Sequence, residues 1–222
     1  YVTQTVGRGA VIKIVTATGT VNPTTTVQVG TYVSGVIQEI SCDFNTQVRK
    51  GQLCAKLDPR PYRTIVDVNR AELATAKAQL VKDRANLAYT KLNYERNAAL
   101  LKRGIVSQDT AESSKNGYDQ AQAQIELDLA AIKQREAALE TALVNLGYTD
   151  ISSPVDGTVI SRNVTIGQTV AASFQTPTLF LIATDLTSMQ VDTNISESDI
   201  GRVKLGDKAI FTVEAFPNRA FE

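Results

Sequence analysis

Few residues of this chain are of the types that most often carry catalytic or metal chemistry. The sequence has no histidine, one methionine (Met189) and two cysteines, Cys42 and Cys54. The lack of histidine excludes histidine-based triads and most histidine-containing metal sites. A disulfide could join the two cysteines, but the pattern favours two buried free thiols in strands. We expect no metal site and no cofactor, and no role in heavy-metal delivery, which would need thioether or imidazole ligands.

The acidic segment ISESDIGRVKLGDKA is a second candidate for chemistry, because it contains Glu197, Asp199 and Asp207. Carboxylates at such spacing could bind a metal or act as a general acid and base. Their setting favours a structural interpretation. It predicts a short helical turn that Ser196 caps, followed by a Gly-Asp turn into the strand AIFTVEA. We therefore expect no catalytic or metal-binding role for this segment.

Composition and charge are those of an ordinary globular protein. Of the 222 residues, 43% are hydrophobic, and 23 basic side chains balance 23 acidic ones. The zero net charge argues against a nucleic-acid partner. No apolar run predicts a membrane span, and no signal peptide opens the chain. The chain starts at Tyr1 and stops inside the strand-like pattern PNRAFE, so we expect a fragment of a longer protein.

Two long helices are predicted, over residues 62–102 and 108–146. In each of them apolar residues recur every seven positions, which is the pattern of a coiled coil. Gly104 suits the end of the first helix, and Ser107 and Asp109 suit the start of the second. The segment therefore predicts an antiparallel hairpin. The heptad residues are Val66, Leu73, Leu80, Leu87, Tyr94 and Leu101, then Ala111, Tyr118, Ile125, Ile132, Leu139 and Leu146.

The flanks of the hairpin are rich in Val, Ile and Thr and predict short strands. They contain one motif twice, since SGVIQEISCDFNTQVRKG (34–51) aligns with DGTVISRNVTIGQTVAAS (156–173) at an offset of 122. Asn45 aligns with Gly167, and both residue types tolerate a left-handed backbone. Two half-motifs, each too small to bury its apolar face, should close into one small sandwich. Other aligned pairs are Gly35 with Gly157, Ile37 with Val159, Phe44 with Ile166, Val48 with Val170, and Leu57 with Leu179.

This order of elements resembles the periplasmic adaptor, or membrane fusion protein, family (HlyD-like). The segments VQVGTYVSGVIQEISCDFNTQVRKGQL and LGYTDISSPVDGTVISRNVTIGQTV are similar to macrolide efflux adaptors of the MacA type. The resemblance implies an elongated fold of mixed α and β class, with an antiparallel coiled-coil hairpin inserted into a split lipoyl-like β-sandwich, plus a β-barrel domain. The expected bounds are 1–26 and 184–222 for the barrel segments, 27–58 and 149–183 for the lipoyl halves, and 59–148 for the hairpin.

The resemblance also implies a role for the hairpin tip, where Ile105 and Val106 make the turn unusually apolar. Adaptors of this type carry Arg, Leu and Ser near the tip at spacings of four and seven, a pattern that falls on Arg96, Leu100 and Ser107. Arg96 and Leu100 share one helix face, and Ile105 and Val106 would add apolar contact with a channel. Alternatively, these residues only solvate the helix, fill the seam and cap the turn.

The resemblance implies a protein that is not an enzyme but an adaptor, which links an inner-membrane ABC-type transporter to a TolC-like outer-membrane channel. The full-length form would be a hexamer in the periplasm, held to the inner membrane by an N-terminal anchor that this chain lacks. In the loop AASFQTP, Gln175 would project into the central channel as a gate, unless the segment is a plain surface loop. The alternatives are an adaptor of a proton-driven pump or of a type I protein secretion system. A lipoyl or biotin carrier is disfavoured, because no modifiable Lys turn joins the half-motifs.

Overall fold

The computed structural model describes residues 3, 14–172, 177–214 and 216–221. The chain divides into two units, one formed by residues 26–184 and the other by residues 1–25 together with 185–222. The helices are α1 (Arg60–Lys102), α2 (Gln108–Gly147) and α3 (Glu197–Ile200). The strands are β1 (Thr18–Pro23), β2 (Thr26–Val29), β3 (Gly35–Ile40), β4 (Gln47–Val48), β5 (Leu53–Leu57), β6 (Asp150–Ser152), β7 (Gly157–Arg162), β8 (Thr169–Val170), β9 (Phe180–Ala183), β10 (Met189–Asn194), β11 (Phe211–Val213) and β12 (Phe216–Phe221).

The larger unit contains two four-stranded sheets, and each sheet takes strands from both half-motifs. Their strand orders are β2-β9-β7-β4 and β6-β5-β3-β8. The two orders are related by the sequence repeat, because β3 and β7, and likewise β4 and β8, occupy aligned positions of the two half-motifs. The prediction that the halves close on each other is confirmed.

The turns of the two half-motifs also correspond. Asn45 and Gly167 both have positive φ, of 59° and 84°, as their residue types predict. The residue before each of them, Phe44 and Ile166, is 55% and 66% exposed. This aligned apolar pair therefore lies in the turns, outside the core.

The core of the sandwich is one hydrophobic cluster, to which both halves contribute side chains. Ile37 and Leu57 of the first half are fully buried, as are Leu179, Phe180 and Ile182 of the second. Each such side chain contributes about 1.5–3 kcal/mol when it leaves water. That contribution is available only when the two halves meet.

The helical hairpin agrees with its prediction to within two residues at each end, since α1 covers 60–102 and α2 covers 108–147. The helices are antiparallel and in register, because the Tyr94 and Tyr118 rings stack with centroids 5.8 Å apart. Closer to the sandwich, Lys77 forms an ion pair with Glu136. Eleven of the twelve heptad residues are buried or half-buried, and Leu101 beside the tip is the exception, at 37% exposed.

One polar side chain interrupts the apolar seam. Asp128 is only 7% exposed, and its Oδ1 accepts a hydrogen bond from Gln124 Nε2 at 3.0 Å. Its Oδ2 is buried without a partner among the described residues. A buried polar atom left without a hydrogen bond costs about 1–3 kcal/mol. Asp128 therefore weakens the middle of the hairpin.

The two cysteines correct the sequence interpretation. Both are fully buried, as expected, but they form a disulfide, so the prediction of free thiols is wrong. The backbone N–H groups of Ser41 and Cys42 both donate to the carbonyl oxygen of Cys54, at 2.8 and 3.2 Å. This pairing brings the two Cα atoms to 4.7 Å, inside the range that a disulfide spans.

The smaller unit contains the acidic segment. In this unit β1 pairs with β10, and β11 pairs with β12. Ser196 precedes α3 as predicted, but its hydroxyl bonds to that of Ser198 and makes no side-chain cap. Asp207 accepts a hydrogen bond from the Lys204 N–H at 2.7 Å, in a turn where Gly206 has φ of 94°. The described residues contain no group of three or more metal-binding side chains.

The buried carboxylate leads to a stability prediction. Asp128→Leu should raise the free energy of unfolding by about 1–3 kcal/mol, because it removes an unpartnered polar atom and extends the apolar seam between Ile125 and Ile132. Asp119→Leu, on an exposed position of the same helix, should change it by less than about 0.5 kcal/mol. Urea unfolding of both variants makes the comparison. A loss of stability confined to Asp128→Leu would show that the carboxylate has a stabilising partner.

Candidate docking surface at the hairpin tip

The turn between the helices begins with a glycine-dependent helix end. Gly104 has φ of 72°, its N–H donates to Leu101 O at 2.9 Å, and the Ile105 N–H donates to Leu100 O at 3.0 Å. These two bonds define a Schellman motif, in which the residue after the glycine is commonly apolar. The position of Ile105 therefore has a local explanation, while its side chain remains 64% exposed.

The second helix begins at a side-chain cap, as the sequence predicts. Ser107 is the N-cap of α2, with φ −72° and ψ 158°, and its Oγ accepts a hydrogen bond from the Thr110 N–H at 3.3 Å. Asp109 lies in the first turn, where its charge is favourable with respect to the helix dipole. The helix end and the cap together fix the backbone between 102 and 108.

The five predicted docking residues lie within this turn and the last two turns of α1. We call them the tip residues: Arg96, Leu100, Ile105, Val106 and Ser107. Leu100 and Val106 are half-buried, and the other three are exposed. Among the described residues no carboxylate forms an ion pair with Arg96. The structure thus leaves the Arg96 guanidinium without an ionic partner within the described chain, beside an apolar turn.

A polar groove next to the tip was missed by the sequence interpretation. Its volume is about 480 Å³, and it runs between α1 and α2. Asn93 and Asn97 lie one helical turn apart on α1, close to Leu100 in the sequence. The signal was a change in the seam, since Asn97 and Ser114 follow heptad residues by three positions and are polar. The lining residues of this polar groove are Thr90, Asn93, Asn97, Asp109, Thr110, Ser113, Ser114 and Gly117.

The other predicted site residue cannot be placed. Gln175, the candidate gate residue, lies outside the described residues.

Within the described part of the chain, no helix has both the length and the hydropathy that a membrane crossing requires.

Comparison with known protein families assigns the chain to one of them. Residues 25–182 match the family model described as "RND MFP, barrel-sandwich hybrid domain", where MFP denotes membrane fusion protein. This range includes both half-motifs and the whole hairpin. The chain belongs to the membrane fusion protein family. The family resemblance seen in the sequence is thereby confirmed.

Two curated relatives of this membrane fusion protein are described as export proteins. The pyoverdine export membrane fusion protein PvdR of Pseudomonas aeruginosa is 37% identical over 210 residues, which cover 95% of this chain and 54% of PvdR. The macrolide export protein MacA of Escherichia coli O157:H7 is 33% identical over 222 residues, or 100% of this chain and 60% of MacA. The chain therefore spans little more than half the length of these relatives.

A solved structure supports the same fold. The crystal structure of MacA from Actinobacillus actinomycetemcomitans is similar to this membrane fusion protein, with a TM-score of 0.79 and 38% sequence identity. The similarity covers 94% of this chain and 64% of that one. The mixed α and β class, with a helical hairpin between β half-motifs, is confirmed.

Gly104 and Gly117 of the hairpin should respond oppositely to alanine. Gly104→Ala should lower the free energy of unfolding by about 1 kcal/mol, because a side chain is strained at positive φ. Gly117→Ala should raise it by about 0.5–1 kcal/mol, because this helical glycine has no neighbour within 4 Å of an added Cβ. Thermal and urea unfolding of both variants test the turn. Equal effects of the two changes would contradict the described helix end.

Proposed function

We propose that the full-length protein is a non-enzymatic periplasmic adaptor of a tripartite efflux pump. It would connect an inner-membrane ABC-type transporter to a TolC-like outer-membrane channel. Membership of the membrane fusion protein family supports this, as do the names of relatives described as exporters of pyoverdine and of macrolides. The observation that carries the proposal is the hairpin itself, which has helices of 43 and 40 residues and bears the tip residues at its turn.

The chemistry of the tip residues suits contact with another protein. The Arg96 guanidinium can donate several hydrogen bonds in one plane to carboxylate or carbonyl oxygens of a channel. Leu100 and Val106 are half-buried, so less side-chain freedom remains for them to lose on binding. Ile105 is exposed and would gain most from burial. We propose that these residues form the contact with the outer-membrane channel and that Ser107 combines this role with its cap.

The outer face of α1 suits lateral contact between copies. Ala71, Ala78 and Ala85 follow one another every seven residues, and all three are exposed. Small side chains at this spacing let a second helix approach closely. This face supports our proposal that the full-length protein assembles as a hexamer. Gln175 would then lie in a loop facing the central channel and act there as a gate.

We further propose that the protein works in the periplasm, held at the inner membrane by an N-terminal anchor. The buried disulfide supports an oxidising compartment, since cytosolic thiols are kept reduced. The adaptor would contribute assembly and sealing, while the transporter supplies the energy.

A second candidate differs in the transporter. The matching family model carries the label RND, and the multidrug resistance protein MdtA of Proteus mirabilis is 30% identical over 196 residues. These observations favour an adaptor of a proton-driven pump. Adding the full-length adaptor to each purified transporter in liposomes separates the candidates. Stimulated ATP hydrolysis would support the ABC-type partner, and stimulated proton-coupled transport would support the alternative.

Reversal of one charge tests the tip. Arg96→Asp in the full-length protein should abolish export, because lost hydrogen bonds and added repulsion cost at least about 2 kcal/mol of binding, or about 30-fold in affinity. Its free energy of unfolding should change by no more than about 0.5 kcal/mol, since the position is exposed. Export or drug-resistance assays and thermal unfolding measure the two effects.

The matched control is Arg84→Asp, which makes the same charge change on an exposed position of the same helix, about 18 Å away. Export by this variant should remain near the wild-type level. Full export by an Arg96→Asp, Leu100→Asp double variant at normal expression would contradict channel docking at the tip.

A further inference from the structure

The loop between the two cysteines forms strand pairing, hydrogen bonds and an ion pair with the second half-motif. This loop, residues 43–53, contains β4, which pairs with β7. The Arg162 guanidinium of β7 also forms an ion pair with Asp43, at 3.1 Å. Further bonds between this loop and the second half run from Asn45 N to Val159 O, Val159 N to Thr46 O, Gly51 N to Ser153 O, Ser153 N to Gln52 O, and Lys50 N to Asp156 Oδ1.

Both sulfur atoms become inaccessible once the sandwich is closed. Cys42 and Cys54 are each 0% exposed and belong to the core cluster. Cys54 lies in β5, an inner strand between β3 and β6. Thiol–disulfide exchange requires a thiolate to approach a sulfur atom directly. No oxidant can make that approach in the closed sandwich without first opening it.

The order of the elements along the chain allows the two sulfurs to be joined before the sandwich closes. Cys42 and Cys54 both precede the hairpin, whereas β6 to β9 follow it. The pair is therefore present in the chain long before the half that buries it. The 222 residues contain two cysteines, so one intramolecular pairing is available within this chain.

We propose that this cysteine pair is the substrate of a disulfide-carrying oxidant protein, which joins the two sulfurs before the second half-motif closes the sandwich. One cysteine thiolate attacks the disulfide of the oxidant, forming a mixed disulfide and releasing one oxidant thiol. The second cysteine thiolate then attacks the mixed disulfide and releases the other oxidant thiol. Two electrons and two protons pass to the oxidant, which becomes a dithiol.

The bond then restricts loop 43–53 while the chain is still open. A covalent link across this short segment removes conformations from the unfolded ensemble. The segment that pairs with β7 is thereby partly ordered before β7 joins the sheet. This inference concerns folding and does not depend on which transporter or channel the protein binds.

Oxidation kinetics of the full chain test the order of events. The chain is reduced in urea and then exposed to oxidised glutathione, either still in urea or after refolding in buffer without urea. Alkylation and intact-mass measurement follow bond formation, and circular dichroism reports folding. The bond should form at least about tenfold more slowly in the refolded chain, because access requires opening of the sandwich. A smaller difference, with the reduced chain shown to be folded, would overturn the proposal.

A second measurement covers the case in which the reduced chain does not refold. Failure of the reduced chain to refold would itself show that the cysteines are oxidised before the sandwich closes. The oxidised protein, treated with dithiothreitol, should keep its bond in buffer and lose it in urea. Equal reduction in both conditions would overturn the proposal, as would two alkylatable thiols in unreduced protein isolated from an oxidising compartment. The Cys42→Ser, Cys54→Ser double variant gives the zero-bond reference for alkylation and mass.

Discussion

Neither half-motif can bury its own apolar face, and the organisation of residues 26–184 depends on this constraint. In each sheet the two central strands come from one half and the two edge strands from the other, and Ile37 and Leu57 share their cluster with Leu179 and Ile182. Burial of these side chains stabilises the fold only after closure, since each half alone would leave one side of the cluster in water. The sequence repeat thus produces a nearly symmetric sandwich from segments that a long insertion separates.

Closure of the sandwich also determines where the hairpin begins and ends. The Leu57 N–H donates to Thr149 O at 2.8 Å, which brings the start of α1 next to the end of α2. The Tyr62 hydroxyl donates to Ser34 O at 2.7 Å and fixes the first turn of α1 against the sandwich. From this base the heptad seam keeps the helices paired, so the turn is presented at the far end of the hairpin. The seam becomes polar beside the tip, which creates the groove next to the proposed docking residues.

The features that the sequence predicted are those that depend on local patterns. Heptad spacing predicted both helices, and the residue types of Gly104 and Ser107 predicted the turn. The cysteine bond was not predicted, because it depends on the register of β3 and β5. The burial of Asp128 likewise depends on how the two helices face each other. The exposure of Phe44 depends on where β3 ends. Such properties come from pairing between distant segments, which residue spacing along one segment does not specify.

Site-specific photocrosslinking in cells can test the proposed contact between the hairpin tip and an outer-membrane channel. A photoreactive amino acid in place of Val106 in the full-length protein would report contacts of the turn, and one in place of Lys133 would report contacts of the middle of α2. Mass spectrometry of the adducts identifies the partner. If the tip docks on the channel, position 106 should give a channel adduct and position 133 should give none. No channel adduct from 106, or a channel adduct from 133 alone, would contradict it.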